Sequence, residues 1–130
     1  MTDEQVARSV ADSMARVVAD ADYDGLRGLY TPDACIWHNI DDKEKTVEES
    51  LAFLEGLLRH TSKRWFEDVR LTLTPTGYVD QHYVRAILTT GEEMQIPICM
   101  VVTLEGERIK RLDDYMMVGQ PQEQSGPSAV

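Results

Sequence analysis

The second half of the chain reads as four consecutive strands joined by tight turns, and this restricts the fold more than any other feature. Trp65, Glu67, Val69, Leu71 and Leu73 alternate with Phe66, Asp68, Arg70 and Thr72, the period-two pattern of a long strand. Thr74-Pro75-Thr76-Gly77 reverses the chain into a strand over 78–90, and Gly91-Glu92 reverses it into another over 94–104. Glu105-Gly106-Glu107 makes the last hairpin turn before a strand over 108–118. Tight turns join antiparallel neighbours, so the expectation is a meander sheet.

The first half is mainly helical. Thr2 with Gln5 forms a capping-box pattern, after which Val6, Val10, Met14, Val17, Val18 and Ala21 recur at helical spacing. The residues from Asp20 to Gly25 end that helix, and a second, short one carries Leu26, Leu29 and Tyr30 until Thr31-Pro32-Asp33 stops it. A strand over 34–39 and a polar loop over 41–45 follow. Thr46 and Glu49 then open a third helix, with Val47, Leu51, Leu54, Leu57 and Leu58 on one stripe, ending near His60. Helices first and a meander after is an α+β order. A strongly curved sheet wrapped around three N-terminal helices gives a cone whose interior is a pocket.

A length of 130 residues with 42% hydrophobic side chains suits one domain, placed at 1–118. The tail over 119–130 is poor in core-forming side chains and is expected to be mobile. Thirteen basic against 23 acidic residues give a net charge of −10, the wrong sign for a nucleic-acid partner. Apolar runs such as 96–102 fall far short of the roughly 20 residues that span a bilayer, so no membrane association is expected. The N-terminus shows no basic stretch followed by an apolar core, so a cytoplasmic location is expected. Cys35 and Cys99, each among apolar neighbours, are expected to be reduced, buried thiols. No CxxC, HExxH, GxGxxG or Walker-type pattern occurs, and the three histidines are scattered. The expectation is therefore no metal and no cofactor.

Four segments in order carry a family resemblance: Asp22-Tyr-Asp-Gly-Leu-Arg-Gly-Leu-Tyr-Thr-Pro-Asp-Ala34, Trp37-His38-Asn39, Gln81-His82, and Glu105-Gly-Glu-Arg-Ile-Lys-Arg-Leu-Asp-Asp-Tyr115. Together they resemble the nuclear-transport-factor-2-like superfamily, in particular its SnoaL-like branch of polyketide-cyclase and ketosteroid-isomerase-like proteins, over roughly residues 4 to 118. The resemblance implies the cone-shaped fold, a cavity for a small, largely apolar organic ligand, and a homodimer formed through the exposed sheet face. That fold hosts isomerases, cyclases, dehydratases, epoxide hydrolases and non-catalytic binders, so it does not by itself name a reaction.

Strand alternation sends Trp37 and Asn39 to one face and His38 to the other. The resemblance to limonene-type epoxide hydrolases puts Trp37 and Asn39 where a Tyr and an Asn help hold the attacking water. Gln81 and Tyr83 stand where that pattern has an Arg and an Asp, and only Asp114 remains of its acidic set. His82 is the general-base candidate, since imidazole exchanges protons near neutrality. Similar dehydratases pair such a histidine with an Asp near the end of the first helix, which points to Asp20 or Asp22; helix capping is the structural alternative for Asp22. SnoaL-like cyclases place an acid–base carboxylate on the last strand, where Asp114 is the counterpart, and burial would raise its pKa. Asn39, Gln81, Tyr83, Tyr115 and His38 are candidates for polar contacts with substrate, and Trp37 for an apolar wall. Two readings follow: a cofactor-independent acid–base enzyme using His82 and Asp114, or a module that holds a ligand or partner without turnover.

Overall fold

The computed structural model describes residues 1–117. The order is α1 (Asp3–Ala19), α2 (Tyr23–Gly28), β1 (Tyr30–His38), β2 (Lys43–Lys45), α3 (Val47–Leu58), β3 (Thr61–Thr74), β4 (Gly77–Leu88), β5 (Glu93–Glu105) and β6 (Arg108–Met116). The strands make one sheet in the order β2-β1-β6-β5-β4-β3. Every neighbouring pair is antiparallel except β1 with β6, so the fold is α+β with a mixed sheet curved around the N-terminal helices, as expected. Among the described residues no helix is long and apolar enough to cross a membrane. The tail over 119–130, and Val118 at the expected end of the last strand, lie outside the described residues.

Helix α1 turns Ala7, Val10, Ala11, Met14, Val17 and Val18 onto the concave sheet face. There they join Tyr78, Ile98, Met100, Val102, Ile109 and Leu112 in one buried cluster. Both capping boxes form, Thr2 with Gln5 on α1 and Thr46 with Glu49 on α3. The C-terminus of α1 closes in a Schellman motif: Ala21 N–H donates to the Val18 carbonyl at 3.1 Å and Asp22 N–H to the Val17 carbonyl at 2.8 Å. Ala21 sits at the left-handed position of that motif with φ 53°, where glycine avoids the Cβ penalty. Ala21→Gly is expected to stabilise the protein by about 0.5–1 kcal/mol, read from urea unfolding. No gain would mean that the strain is relieved elsewhere.

Three expectations about elements need correction. The first strand begins at Tyr30, not after Asp33, and Leu29 caps α2. Tyr30 pairs with Ile109, and the register shifts before Cys35, so Pro32 occupies an interrupted stretch of ladder that demands no N–H from it. Within the stretch read as a polar loop, Lys43–Lys45 pairs antiparallel with β1. Its charged side chains suit an edge strand, where they discourage further pairing.

The alternation in β3 breaks between Glu67 and Arg70, where Asp68 adopts φ 56°. This bulge switches the strand's faces, so Phe66 and Leu71, assigned to opposite faces by simple alternation, both pack on the core.

Candidate active site

Strand register aligns the polar groups of the concave face. Asp80 on β4 pairs with Met100 on β5, Met100 with Asp114 on β6, and Asp114 with His38 on β1. Two residues beyond Asp80 on the same strand, His82 therefore shares its face. All four polar side chains are buried, although such residues are rarely buried unless they are paired or functional.

Asp80 and His82 form a tight pair, with His82 Nδ1 2.8 Å from Asp80 Oδ1. A carboxylate accepts from Nδ1–H, which leaves the Nε2 lone pair available. The imidazole lies flat against Phe66, with ring centroids 3.8 Å apart. Beside this pair, Asp114 Oδ2 stands 3.8 Å from His38 Nε2, too far for a hydrogen bond. His38 in turn rests on Phe53 of α3, ring centroids 4.3 Å apart.

Burial, reinforced by the negative charge of Asp80, pushes the Asp114 carboxyl up to about 7. Burial, helped by the Lys45 ammonium, pulls His38 down to about 4. The carboxyl therefore binds a proton more tightly than the His38 imidazole, and near pH 7 it exchanges between its two forms while His38 stays neutral. Tyr30 and Tyr78 are held well above the usual phenol range by burial and by the charges of Asp114 and Asp80, so both remain hydroxyl donors.

Three buried side-chain atoms among the described residues find no hydrogen-bond partner: His38 Nδ1, His82 Nε2 and Asp114 Oδ1. Leaving such an atom unsatisfied costs on the order of 1–3 kcal/mol, and a cluster of them marks a place where a ligand or water would be bound. Asp114 also opens onto a cavity of about 330 Å³ whose walls include Val18, Leu54, Leu58, Phe66 and Ile96. Phe66 thus separates the His82 imidazole from the cavity, whereas Asp114 faces it directly.

The structure buries His82, Asp114 and His38, with Asp114 beside His38 and His82 beside Asp80, and places the other candidates outside this buried group. Trp37 lies on the outer face, its indole N–H donating to Asp42 at 3.0 Å and its ring edge-on to Tyr115. Asn39 bridges β1 to β6: its Oδ1 accepts from Met116 N–H at 2.8 Å and its Nδ2 donates to the Met116 carbonyl at 3.2 Å. Asn39, Gln81, Tyr83 and Tyr115 line a second depression together with Cys99, and His82 contributes to its wall. Asp22 accepts from Gly25 N–H at 2.9 Å and caps α2; the carboxylate at His82 is Asp80 instead. Asp80 escaped notice although it lies two residues before His82, the spacing that puts both on one strand face. Cys35 and Cys99 are free thiols, half-buried rather than fully buried.

Comparison with known proteins follows the same lines. The model of the SnoaL-like domain family matches residues 10–112. No curated protein matches the chain by sequence. Among solved structures, a candidate SnoaL-like polyketide cyclase from Shewanella denitrificans OS-217 shares 15% identity over 86% of this chain and 90% of its own, with a TM-score of 0.73. A protein with a ketosteroid isomerase-like fold from Catenulispora acidiphila DSM 44928, in complex with trimethylamine, shares 13% identity over 90% and 92%, with a TM-score of 0.76. An NTF2-like protein from Anabaena variabilis ATCC 29413 shares 13% over 88% and 89%, with a TM-score of 0.77. At these identities the likeness is one of fold.

Proposed function

The chain belongs to the SnoaL-like domain family, and on that footing we propose that it catalyses cofactor-independent proton transfer at carbon in a small, largely apolar carbonyl compound. The observation that carries this reading is Asp114: a buried carboxyl with one unpartnered oxygen, poised at about 7, on the wall of an apolar cavity. A group titrating near the working pH can both accept and return a proton, which is the requirement for efficient general acid–base catalysis. In its carboxylate form Asp114 takes a proton from the carbon next to a carbonyl, leaving an enolate and a protonated carboxyl. Returning that proton to a different carbon gives an isomer, whereas attack of the enolate carbon on a second carbonyl closes a ring and the carboxyl proton passes to the new alkoxide. The charge of Asp80, held in place by its pair with His82, adds to burial in raising the pKa of Asp114.

An exchange experiment tests this without knowledge of the natural substrate. In deuterated buffer, the protein is expected to speed incorporation of deuterium next to the carbonyl of an apolar ketone such as 2-tetralone, with a pH midpoint near 7. Asp114→Asn is expected to abolish the acceleration. Exchange equal to buffer alone, across several apolar ketones that bind, would leave a ligand-holding role in place of catalysis.

We further propose a homodimer formed on the outer sheet face, where Val101 and Tyr115 expose apolar surface. Sedimentation equilibrium is expected to return twice the chain mass, with Val101→Lys shifting the population to monomer. A monomer at micromolar concentration would overturn this assembly.

A further inference from the structure

Among the described residues the cavity carries one permanently charged cation, and that cation has no carboxylate counter-ion. Arg64 lines the cavity with its guanidinium held from two sides: Nε donates to the Thr61 hydroxyl at 2.9 Å, and Nη1 donates to the carbonyl of Ala19 at 2.9 Å. It is half-buried, and no carboxylate pairs with it among the described residues; the same holds for Arg16, Arg59, Arg70 and Arg108, but of these five Arg64 is the one that lines the cavity. The remaining nitrogen, Nη2, makes no hydrogen bond among the described residues, although the chain has 23 acidic residues that could have supplied one. The C-terminal carbonyls of α1 give partial compensation through the helix dipole and hold the group in place.

We propose that Arg64 is the anchor for a carboxylate on the substrate, so that the preferred ligands are apolar acids and not neutral hydrocarbons or alcohols. This deepens the proposed function by naming a substrate class for the same cavity. The placement is suitable: Arg64 pairs with Ala86, which pairs with Met94, while Asp114 pairs with Met100. Anchor and carboxyl are thus six residues apart along the strand direction, about 20 Å at 3.3 Å per residue, and three strands apart across the sheet, about 14 Å, both shortened through space by the concave curve. An elongated acid seated with its carboxylate on Arg64 presents the far end of its apolar body to Asp114. The bound carboxylate also stays remote from Asp114 and Asp80, whose negative charge would repel it. Against a background net charge of −10, a fixed guanidinium beside low-dielectric walls is what makes an anionic ligand admissible at all.

Displacement of the neutral fluorophore 1-aminoanthracene provides the test. Wild-type protein is expected to release it to decanoate at a concentration about tenfold or more below that needed with decanol, the scale of a charge-assisted hydrogen bond. In Arg64→Met the preference for decanoate is expected to vanish while 1-aminoanthracene still binds, and Arg64→Lys should retain part of it. Equal displacement by acid and alcohol in the wild type, or a preference that survives Arg64→Met, would overturn the anchor and show Arg64 to be only a cap on α1. Failure of 1-aminoanthracene to bind the wild type would overturn the cavity as a ligand site, and with it both this inference and the proposed function; deuterium exchange without acid selectivity would overturn the anchor alone.

Discussion

Asp114→Asn is expected to yield a protein that is more stable than the parent above pH 7 and catalytically silent. In the unfolded chain this carboxyl loses its proton near 3.8, but in the folded protein only near 7. Between those values the folded state binds more protons than the unfolded one, so stability falls as pH rises through the window and stays low above it. Roughly three pKa units correspond to a penalty on the order of 4 kcal/mol above pH 7, which the neutral amide does not incur. At pH 4 and below, where both states carry the protonated acid, the substitution should change little. His38 slopes the other way: it is held neutral down to about 4, so the folded state loses stability as pH falls from about 6.5. Urea unfolding of both proteins at pH 4, 6 and 8 checks this, and a variant equally or less stable at pH 8 would contradict the burial argument. The same substitution should slow ketone exchange by about 10²–10⁴, the range for loss of a general acid–base group.

Loss of His82 is expected to be the most damaging single change to folding. Its ring is buried on Phe66 and its Nδ1–H serves the buried Asp80 carboxylate. His82→Leu leaves that charge unpaired in the interior, a defect that costs on the order of 3–5 kcal/mol. Asp80→Asn removes the charge instead and should cost less, about 1–3 kcal/mol from the altered hydrogen bond. In the double variant the cost should be well below the sum of the two, a coupling that a double-mutant cycle in urea reads directly. Asp80→Asn carries a second signature: with its charge gone, one of the two causes raising Asp114 disappears, and the midpoint of ketone exchange should move to lower pH. An unchanged midpoint would mean that burial alone sets the acidity of Asp114.

How much of this was legible in the sequence depended on whether local chemistry decided the outcome. Both capping boxes formed because the Thr hydroxyl and the Gln or Glu side chain satisfy backbone groups within one turn, with no help from distant parts of the chain. Hairpin turns were equally local. Alternation placed Asp113 and Asp114 on opposite faces without saying which one points inward; burial of His82 and Asp114 is decided by the curvature of the sheet around the helices, which strand spacing does not contain. The switch of faces in β3 depends on Asp68 in a left-handed conformation that an aspartate tolerates without advertising it, so alternation seemed to continue past the break. Strand β2 was unreadable for a different reason, since an edge strand selects the charged residues that a loop also prefers.

The site followed the same division. Asp80 was within reach of a face-counting argument, because two positions along a strand preserve the side. Assigning Asp22 to His82 instead required knowing which helix end approaches β4, a matter of packing that spacing does not contain. Arg64 was missed because a lone arginine near a helix end carries no pattern; only the tertiary arrangement shows that its charge lacks a partner.

One further consequence lies in the parallel pairing of β1 with β6. It brings His38 to Asp114 from the opposite side of a long stretch of chain, and Asn39 fastens the same seam through both backbone groups of Met116. Contacts between such distant segments carry the largest loop-closure entropy and tend to form late in folding. Any partly assembled species in which the meander is intact but the N-terminal portion is undocked therefore carries Asp114 without the helical walls that bury it, and turnover becomes a direct gauge of whether the last join in the molecule has been made.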